Sequence, residues 1–223
     1  MMRRNRNLIK TNSWGMKGLL IVLAFVGCEQ VKEDVLPAES TEELSTQTLF
    51  SVPGEPVVVD LLEGVSLSEP VDLQIMEAPQ SGDLSLLGNT LASYETPSRI
   101  APQSDRFTMN VKTSSTSYQR TFQVEVTDRV GYPLSEQGAV YDRGGILNPG
   151  ETLIADVLQN DAEGAAGLEI EVGPSRGTAF VTEDQKISYT ADPEFRGLVD
   201  VIYRVDFPNG RVGRAIVRFA ISE

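Results

Sequence analysis

The chain has no histidine, one cysteine and one tryptophan in 223 residues, and its 19 basic side chains face 32 acidic ones, for a formal net charge of −13. Each shortage excludes something. Without histidine there is no Ser-His-Asp or Cys-His catalytic unit, no HExxH zinc site and no imidazole base. A single cysteine allows neither an intrachain disulfide nor a cysteine metal cluster. Affinity for phosphate backbones comes from Lys and Arg releasing counterions, so a strongly acidic chain is not built to bind nucleic acid. No apolar run approaches the about 20 residues that a membrane-crossing helix needs.

The few basic residues are unevenly placed. Arg3, Arg4, Arg6, Lys10 and Lys17 precede the first acid, Glu29, and residues 19–26 form an unbroken apolar run that ends at Gly27-Cys28. A positive start, a short apolar stretch and a small residue before a cut make residues 1–27 a cleaved secretory signal. The segment Phe25-Val26-Gly27-Cys28 resembles a bacterial lipoprotein lipobox, with Phe25 departing from the usual Leu. The resemblance implies cleavage between Gly27 and Cys28 and lipidation of Cys28, with attached acyl chains such as palmitate anchoring the mature protein to a membrane. Two or more acyl chains hold stably without a transmembrane helix. Lys32-Glu33-Asp34, just beyond, looks like the lysine-plus-two-acids export tag of Bacteroidota lipoproteins, which implies an outer-membrane, surface-facing anchor.

Removing the signal takes 5 of the 19 basic residues and leaves 14 against 32 acidic, a net charge of −18 for the mature chain. Residues 28–48 are rich in Glu, Ser, Thr and Pro with little apolar content, so they read as a disordered acidic tether. Beyond them the chain repeats itself. Gly54-Glu55 and Asp60-Leu61-Leu62 answer Gly150-Glu151 and Asp156-Val157-Leu158 at an offset of 96; Pro79, Gly82 and Ser93-Tyr94 answer Pro174, Gly177 and Ser188-Tyr189 at 95. Both copies consist of short apolar stretches of period two broken by Gly, Pro, Asn or Asp, which is the pattern of half-buried antiparallel strands. Val199, Val201, Tyr203, Val205 and Phe207 alternate onto one face, and Asn209-Gly210 beyond them predicts a type I′ hairpin into residues 212–221. The expected fold class is all-β: two tandem immunoglobulin-like antiparallel sandwiches, residues 49–128 and 139–223, joined by a linker at 129–138.

The second copy is similar to the cadherin-like, Ig-like repeats of large bacterial surface proteins. The match runs through Ala139-Val140-x-Asp142, Asp156-Val157-Leu158-x-Asn160-Asp161, Gly177, Ile187-x-Tyr189, Pro193-x-Phe195-x-Gly197 and Tyr203-x-Val205; the first copy is a degenerate version without the Asn-Asp pair. Tyr189 and Phe195 read as core aromatics, and Asp156, Asn160 and Asp161 as turn residues bonding nearby backbone N–H groups. Some relatives bind calcium in an Asp-rich loop after the Asn-Asp pair. Here the loop offers one carboxylate, Glu163, so Asp161 and Glu163, even with Asp142 added, fall short of the six to eight oxygens that calcium takes.

Catalysis without histidine would need paired carboxylates or a Ser-Lys dyad. Acid pairs such as Asp105 and Glu125 are plentiful on so acidic a surface, and nothing in the sequence marks a pocket or calls for a cofactor. The reading that results is a non-catalytic, lipid-anchored adhesion, scaffold or spacer protein of the cell envelope, with a protein or glycan partner bound through strand edges or loops. The alternative is a carbohydrate-binding accessory lipoprotein, which exposed Tyr118, Tyr132 or Tyr141 clustered on one surface would favour and all three apart or buried would sink.

Overall fold

The computed structural model describes residues 40–65, 70–88, 90–99 and 101–222. The signal segment, Gly27, Cys28 and Lys32-Glu33-Asp34 lie outside the described residues. Fifteen strands and one single-turn helix make up the described chain. The first sandwich contains β1 (Ser40–Glu43), β2 (Gln47–Ser51), β3 (Pro56–Asp60), β4 (Asp72–Glu77), β5 (Asp83–Gly88), β6 (Leu91–Glu95), β7 (Ser104–Lys112) and β8 (Thr116–Val126). After α1 (Leu134–Gln137), the second contains β9 (Asp142–Leu147), β10 (Thr152–Ala155), β11 (Ala166–Val172), β12 (Thr178–Val181), β13 (Ile187–Thr190), β14 (Gly197–Asp206) and β15 (Val212–Ile221).

The duplication seen in the sequence is a duplication of topology. In the first sandwich, β1 and β2 both pair with β8, which continues through β7 to β4, and β3-β6-β5 form the opposing sheet. In the second, the orders are β9-β15-β14-β11 and β10-β13-β12, the same arrangement apart from β1, which has no counterpart. Both copies open parallel to their last strand, through β1 and β2 in the first and β9 in the second, and are otherwise antiparallel.

Each core is filled by the alternation that the sequence shows. Val199, Val201, Tyr203 and Val205 are fully or almost fully buried, with Phe207 beside them, and they meet Ala215, Val217, Phe219 and Ile221 from β15. Tyr189 stacks on Phe219 with ring centroids 4.5 Å apart, and Phe195 packs at the edge of this cluster. In the first sandwich Tyr94, Phe107 and Phe122 form a continuous stack, with centroid separations of 5.7 and 4.9 Å. These aliphatic and aromatic contacts do the work that a disulfide does in antibody domains. Gly177 has φ +78°, and a Cβ there would collide with the Thr190 carbonyl, so only glycine fits this approach to β13.

Two expectations are corrected. Residues 40–48 do not belong to a tether: β1 and the start of β2 add to the edge of β8, in register from Ser40 opposite Thr116 and from Gln47 opposite Phe122. Their polar composition suits an edge strand, whose backbone is satisfied by the ladder while its side chains stay in water. The segment 129–138, between β8 and β9, carries α1 and is bonded at both ends. Arg129 pairs with Glu55 at 2.9 Å and donates to the Tyr141 carbonyl at 3.0 Å, and the Gly138 carbonyl accepts from Ala162 N at 2.7 Å. Finally, the β14–β15 turn is not type I′. Gly210 N donates to the Phe207 carbonyl and only Gly210 has positive φ, at +80°. Pro208 fixes a negative φ at the first turn position, so the chain makes a type I turn followed by a left-handed glycine.

Candidate functional site

The two sandwiches pack face to face. On β3 and β6 of the first, Val58 and Leu91 point away from their own core; on β14 and β15 of the second, Ile202 and Ile216 do the same. With Tyr141 these residues form a third apolar cluster, all at 9% exposure or less. Basic and acidic residues ring it. Arg214 lies between Glu171 at 2.7 Å and Asp60 of the first sandwich at 3.3 Å; Arg218 lies between Asp200 at 2.7 Å and Glu95 of the first sandwich at 3.1 Å. Four sheets are thereby layered, and strands β3, β14 and β15 of the two inner ones carry buried residues on both faces.

Beside this interface, at the entry to the second sandwich, the motif residues converge. The Tyr203 hydroxyl lies 2.7 Å from Asp142 Oδ2, 3.3 Å from both carboxylate oxygens of Asp161, 3.2 Å from the Val140 carbonyl and 3.3 Å from that of Val157. Asp161 Oδ1 also accepts from Val140 N at 2.9 Å, and Asn160 Nδ2 reaches the Tyr141 carbonyl at 3.5 Å. Asp161 is therefore a long-range tie to the start of β9 rather than a local turn residue. Asp156 is bonded elsewhere, to Lys186 Nζ at 3.2 Å across the sheet edge. A phenol supplies one proton, too few for five acceptor oxygens. Burial pushes the Asp142 carboxyl up to about 7, against the Tyr203 hydrogen bond, and pushes Asp161 up to about 6. Burial, with the charges of Asp142 and Asp161, also drives the Tyr203 hydroxyl well above its usual range. The cluster binds protons in preference to charge, and its arrangement is that of a lock between β9, β14 and the loop after β10.

Asp142 and Asp161 are thus brought together by Tyr203, whereas Glu163 stays exposed on its loop. Among the described residues no group of three or more His, Cys, Asp or Glu side chains is placed to hold a metal ion. Asp105 and Glu125 are separated by the pleat: Asp105 sits opposite core residue Val124, while Glu125 is exposed on the other face. The Asp105 carboxylate accepts from the backbone N–H groups of Gln80, Ser81, Gly82 and Arg106 and from the Tyr94 hydroxyl. Desolvation works to raise its pKa, but those backbone donors bring it below the ordinary carboxylate value. Asp105 thus organises the β4–β5 connection. Of the three candidate tyrosines for a sugar-stacking surface, Tyr141 is buried in the interface, and Tyr118 and Tyr132 are half-buried in different regions. They do not form a platform.

The fold and these sites define a pair of immunoglobulin-like β-sandwiches. Residues 137–220 match the family model described as "Bacterial Ig domain", a span that contains the second sandwich together with the Asp142, Asp161 and Tyr203 cluster. No curated protein matches the chain. Among solved structures it is similar to the endo-fucoidan hydrolase MfFcnA4 from glycoside hydrolase family 107, at 16% identity and TM-score 0.32, covering 83% of this chain and 29% of that one. It is also similar to the N-terminal Ig1-2 module of the Drosophila receptor protein tyrosine phosphatase DLAR, at 5% identity and TM-score 0.37, covering 79% and 95%. Drosophila N-cadherin EC1-4 matches at 9% identity and TM-score 0.28, covering 83% and 50%. The chain spans under a third of the hydrolase's length. No helix among the described residues is long and apolar enough to cross a membrane.

Proposed function

We propose that this chain is a non-catalytic, lipid-anchored protein of the cell envelope that presents two Ig-like sandwiches as one rigid adhesion or scaffold unit. The observation that carries the reading is the face-to-face layering. A flexible string of domains leaves both faces of each sandwich solvated, whereas here Val58, Leu91, Ile202 and Ile216 are sequestered and Arg214 and Arg218 bridge the two sandwiches. Such a unit holds its outer faces and loops at a fixed geometry to one another, which suits display more than reach. Cys28 supplies the anchor and Gly27 the residue before the cut, and Lys32-Glu33-Asp34 directs the protein to the outer face of the outer membrane.

The anchor is tested by fractionating cells that express Cys28→Ala. Release of the variant into the soluble fraction is the expected outcome; continued membrane association refutes lipidation at Cys28. Protease shaving of intact cells tests the leaflet: loss of the sandwiches supports surface display, and protection until the outer membrane is broken refutes it.

A further inference from the structure

The duplication leaves one face of the second sandwich without the cover that its counterpart in the first sandwich has. Val58 in β3 answers to Ile154 in β10 at the offset of 96, and each stands opposite a serine of the neighbouring strand, Ser93 or Ser188. In the first sandwich Val58 is buried against Ile202 and Ile216. In the second, Ile154 is 58% exposed, and Phe180, on the other side of Ser188, is 59% exposed. Ala179 and Val181, on either side of Phe180 in β12, pack against the core, so the Phe180 ring projects from the outer face of the β10-β13-β12 sheet. Apolar residues exposed singly are ordinary. What distinguishes Phe180 is a hollow of matching size and charge on the opposite sheet.

The outer face of that opposite sheet runs in rows across β14, β15 and β9: Ile202 beside Ile216, then Asp200-Arg218-Arg143, then Leu198-Ala220-Ile146. The first sandwich covers the first row and reaches the second through Glu95. The third row lies past it, with Leu198 60% and Ile146 77% exposed. There a hollow of about 190 Å³ opens, lined by Tyr141, Ile146, Leu198 and Ala220 together with Arg143 and Arg218. A cavity of about 150 Å³ admits benzene, so the hollow has room for a phenylalanine ring.

The charges match as well. On the Phe180 side, Lys186 lies between Asp156 at 3.2 Å and Asp184 at 3.8 Å, which leaves that trio with one negative charge in excess. At the hollow, Arg218 is engaged by Asp200 and Glu95, but Arg143 is exposed and makes no ion pair among the described residues. A guanidinium beside an aromatic ring is also attracted to its face. The contact already present inside the chain uses the same pairing: Val58 with Asp60 and Glu95 from a three-stranded sheet meets Ile202 and Ile216 with Arg214 and Arg218 from the four-stranded one. We propose that copies of this chain associate head to tail, with Phe180 of one copy seated in the hollow between Leu198 and Ile146 of the next. Pairing like faces instead sets arginine against arginine or carboxylate against carboxylate. Knob and hollow lie on opposite faces of one sandwich, so the contact is heterologous and builds chains rather than closing at a dimer. It is small beside the ~1,200–2,000 Å² of a standard interface, so it is weak and acts where copies are crowded. The inference goes beyond the display reading by naming what one unit meets, and it depends on the second sandwich alone.

The test is sedimentation equilibrium of the purified full chain in density-matched detergent, from about 10 μM to 1 mM, the range of weak association. Expected is a mass that grows with concentration past that of a dimer, and loss of this growth in Phe180→Ser and in Leu198→Glu. An equimolar mixture of the two variants joins the intact hollow of one to the intact Phe180 of the other and is expected to stop at dimers. Both side chains are more than half exposed, and circular dichroism checks that the variants fold; should Leu198→Glu fail to do so, Ile146→Glu takes its place. A parent chain that stays monomeric over this range overturns the proposal. So does a variant that assembles like the parent, which marks a symmetric contact through the face it leaves intact, and so does a mixture that stays monomeric. Each of these failures leaves the anchored display unit intact, because that reading is tested by fractionation and shaving.

Discussion

Ile216 offers the sharpest test of the layered architecture. It projects from the outward face of β15, where an isolated sandwich would leave it in water, yet it is fully buried against Val58, Leu91, Tyr141 and Ile202. Ile216→Ala deletes three methyl or methylene groups from a closed apolar cluster. Loss of their transfer energy plus the cavity left behind destabilises by about 2–5 kcal/mol, with the value near the low end if the two sheets settle together. Leu198 is the internal control. It points out of the same face of β14, two outward positions beyond Ile202, but lies past the edge of the first sandwich and is 60% exposed. Leu198→Ala should therefore change stability by no more than about 0.5 kcal/mol. Both variants are compared with the parent chain by urea unfolding, followed by circular dichroism and by tyrosine fluorescence. If Ile216→Ala falls within about 0.5 kcal/mol of the parent, the second sandwich's outer face is solvated and the layered unit is wrong.

The Tyr203 cluster yields two further expectations. Tyr203→Phe removes the one hydroxyl that two carboxylates and two carbonyls share, and should cost about 1–3 kcal/mol in urea unfolding at pH 6; an unchanged midpoint would show that the lock contributes nothing. The pH dependence has a definite sign. Asp142 is raised from 3.8 to about 7 and Asp161 from 3.8 to about 6, chiefly by burial, so the folded chain holds protons that the unfolded chain has released. Their stabilising contribution is fully present below about pH 4 and is lost progressively as pH rises from there through 6 and 7, a fall of several kcal/mol. Asp142→Asn should flatten that fall in thermal melts taken from pH 4 to pH 8, and a slope as steep as the parent's would refute the assignment.

The parts of the fold legible in the sequence were those set by local alternation and by repetition. The face carrying Val199, Val201, Tyr203 and Val205 is buried as the period of two requires, and the 95- to 96-residue offset reappears as two sandwiches with the same strand order. The hairpin after Phe207 lies where Asn209-Gly210 points, but its turn type differs, because Pro208 outweighs the Asn-Gly preference. The β1 strand is illegible in the sequence because Ser40–Glu43 has no apolar face at all, and it is held by backbone pairing with β8. Sequence spacing put Asp142, Asp161 and Tyr203 in one motif without revealing that they meet, since the contact joins residues 42 and 61 positions apart.

The interface had a sequence signal that period-two reasoning passes over. A strand with one solvated face alternates apolar with polar residues, whereas a strand buried on both faces reads as a continuous apolar run. Val57-Val58-Val59 in β3, Val201-Ile202-Tyr203 in β14 and Ala215-Ile216-Val217 in β15 are such runs, and in each the middle residue is the one that points into the other sandwich. The polar residues that interrupt β15 are also informative: Arg214 and Arg218 flank Ile216 on the same face at two-residue steps, and both find carboxylates of the first sandwich. In a chain this acidic, with so few basic residues, two arginines spent on one buried sheet face mark where acidic surfaces had to be brought together. The pairing of apolar triplets with these arginines on the inner strands, rather than the apparent linker between the repeats, fixes the relation of the two sandwiches.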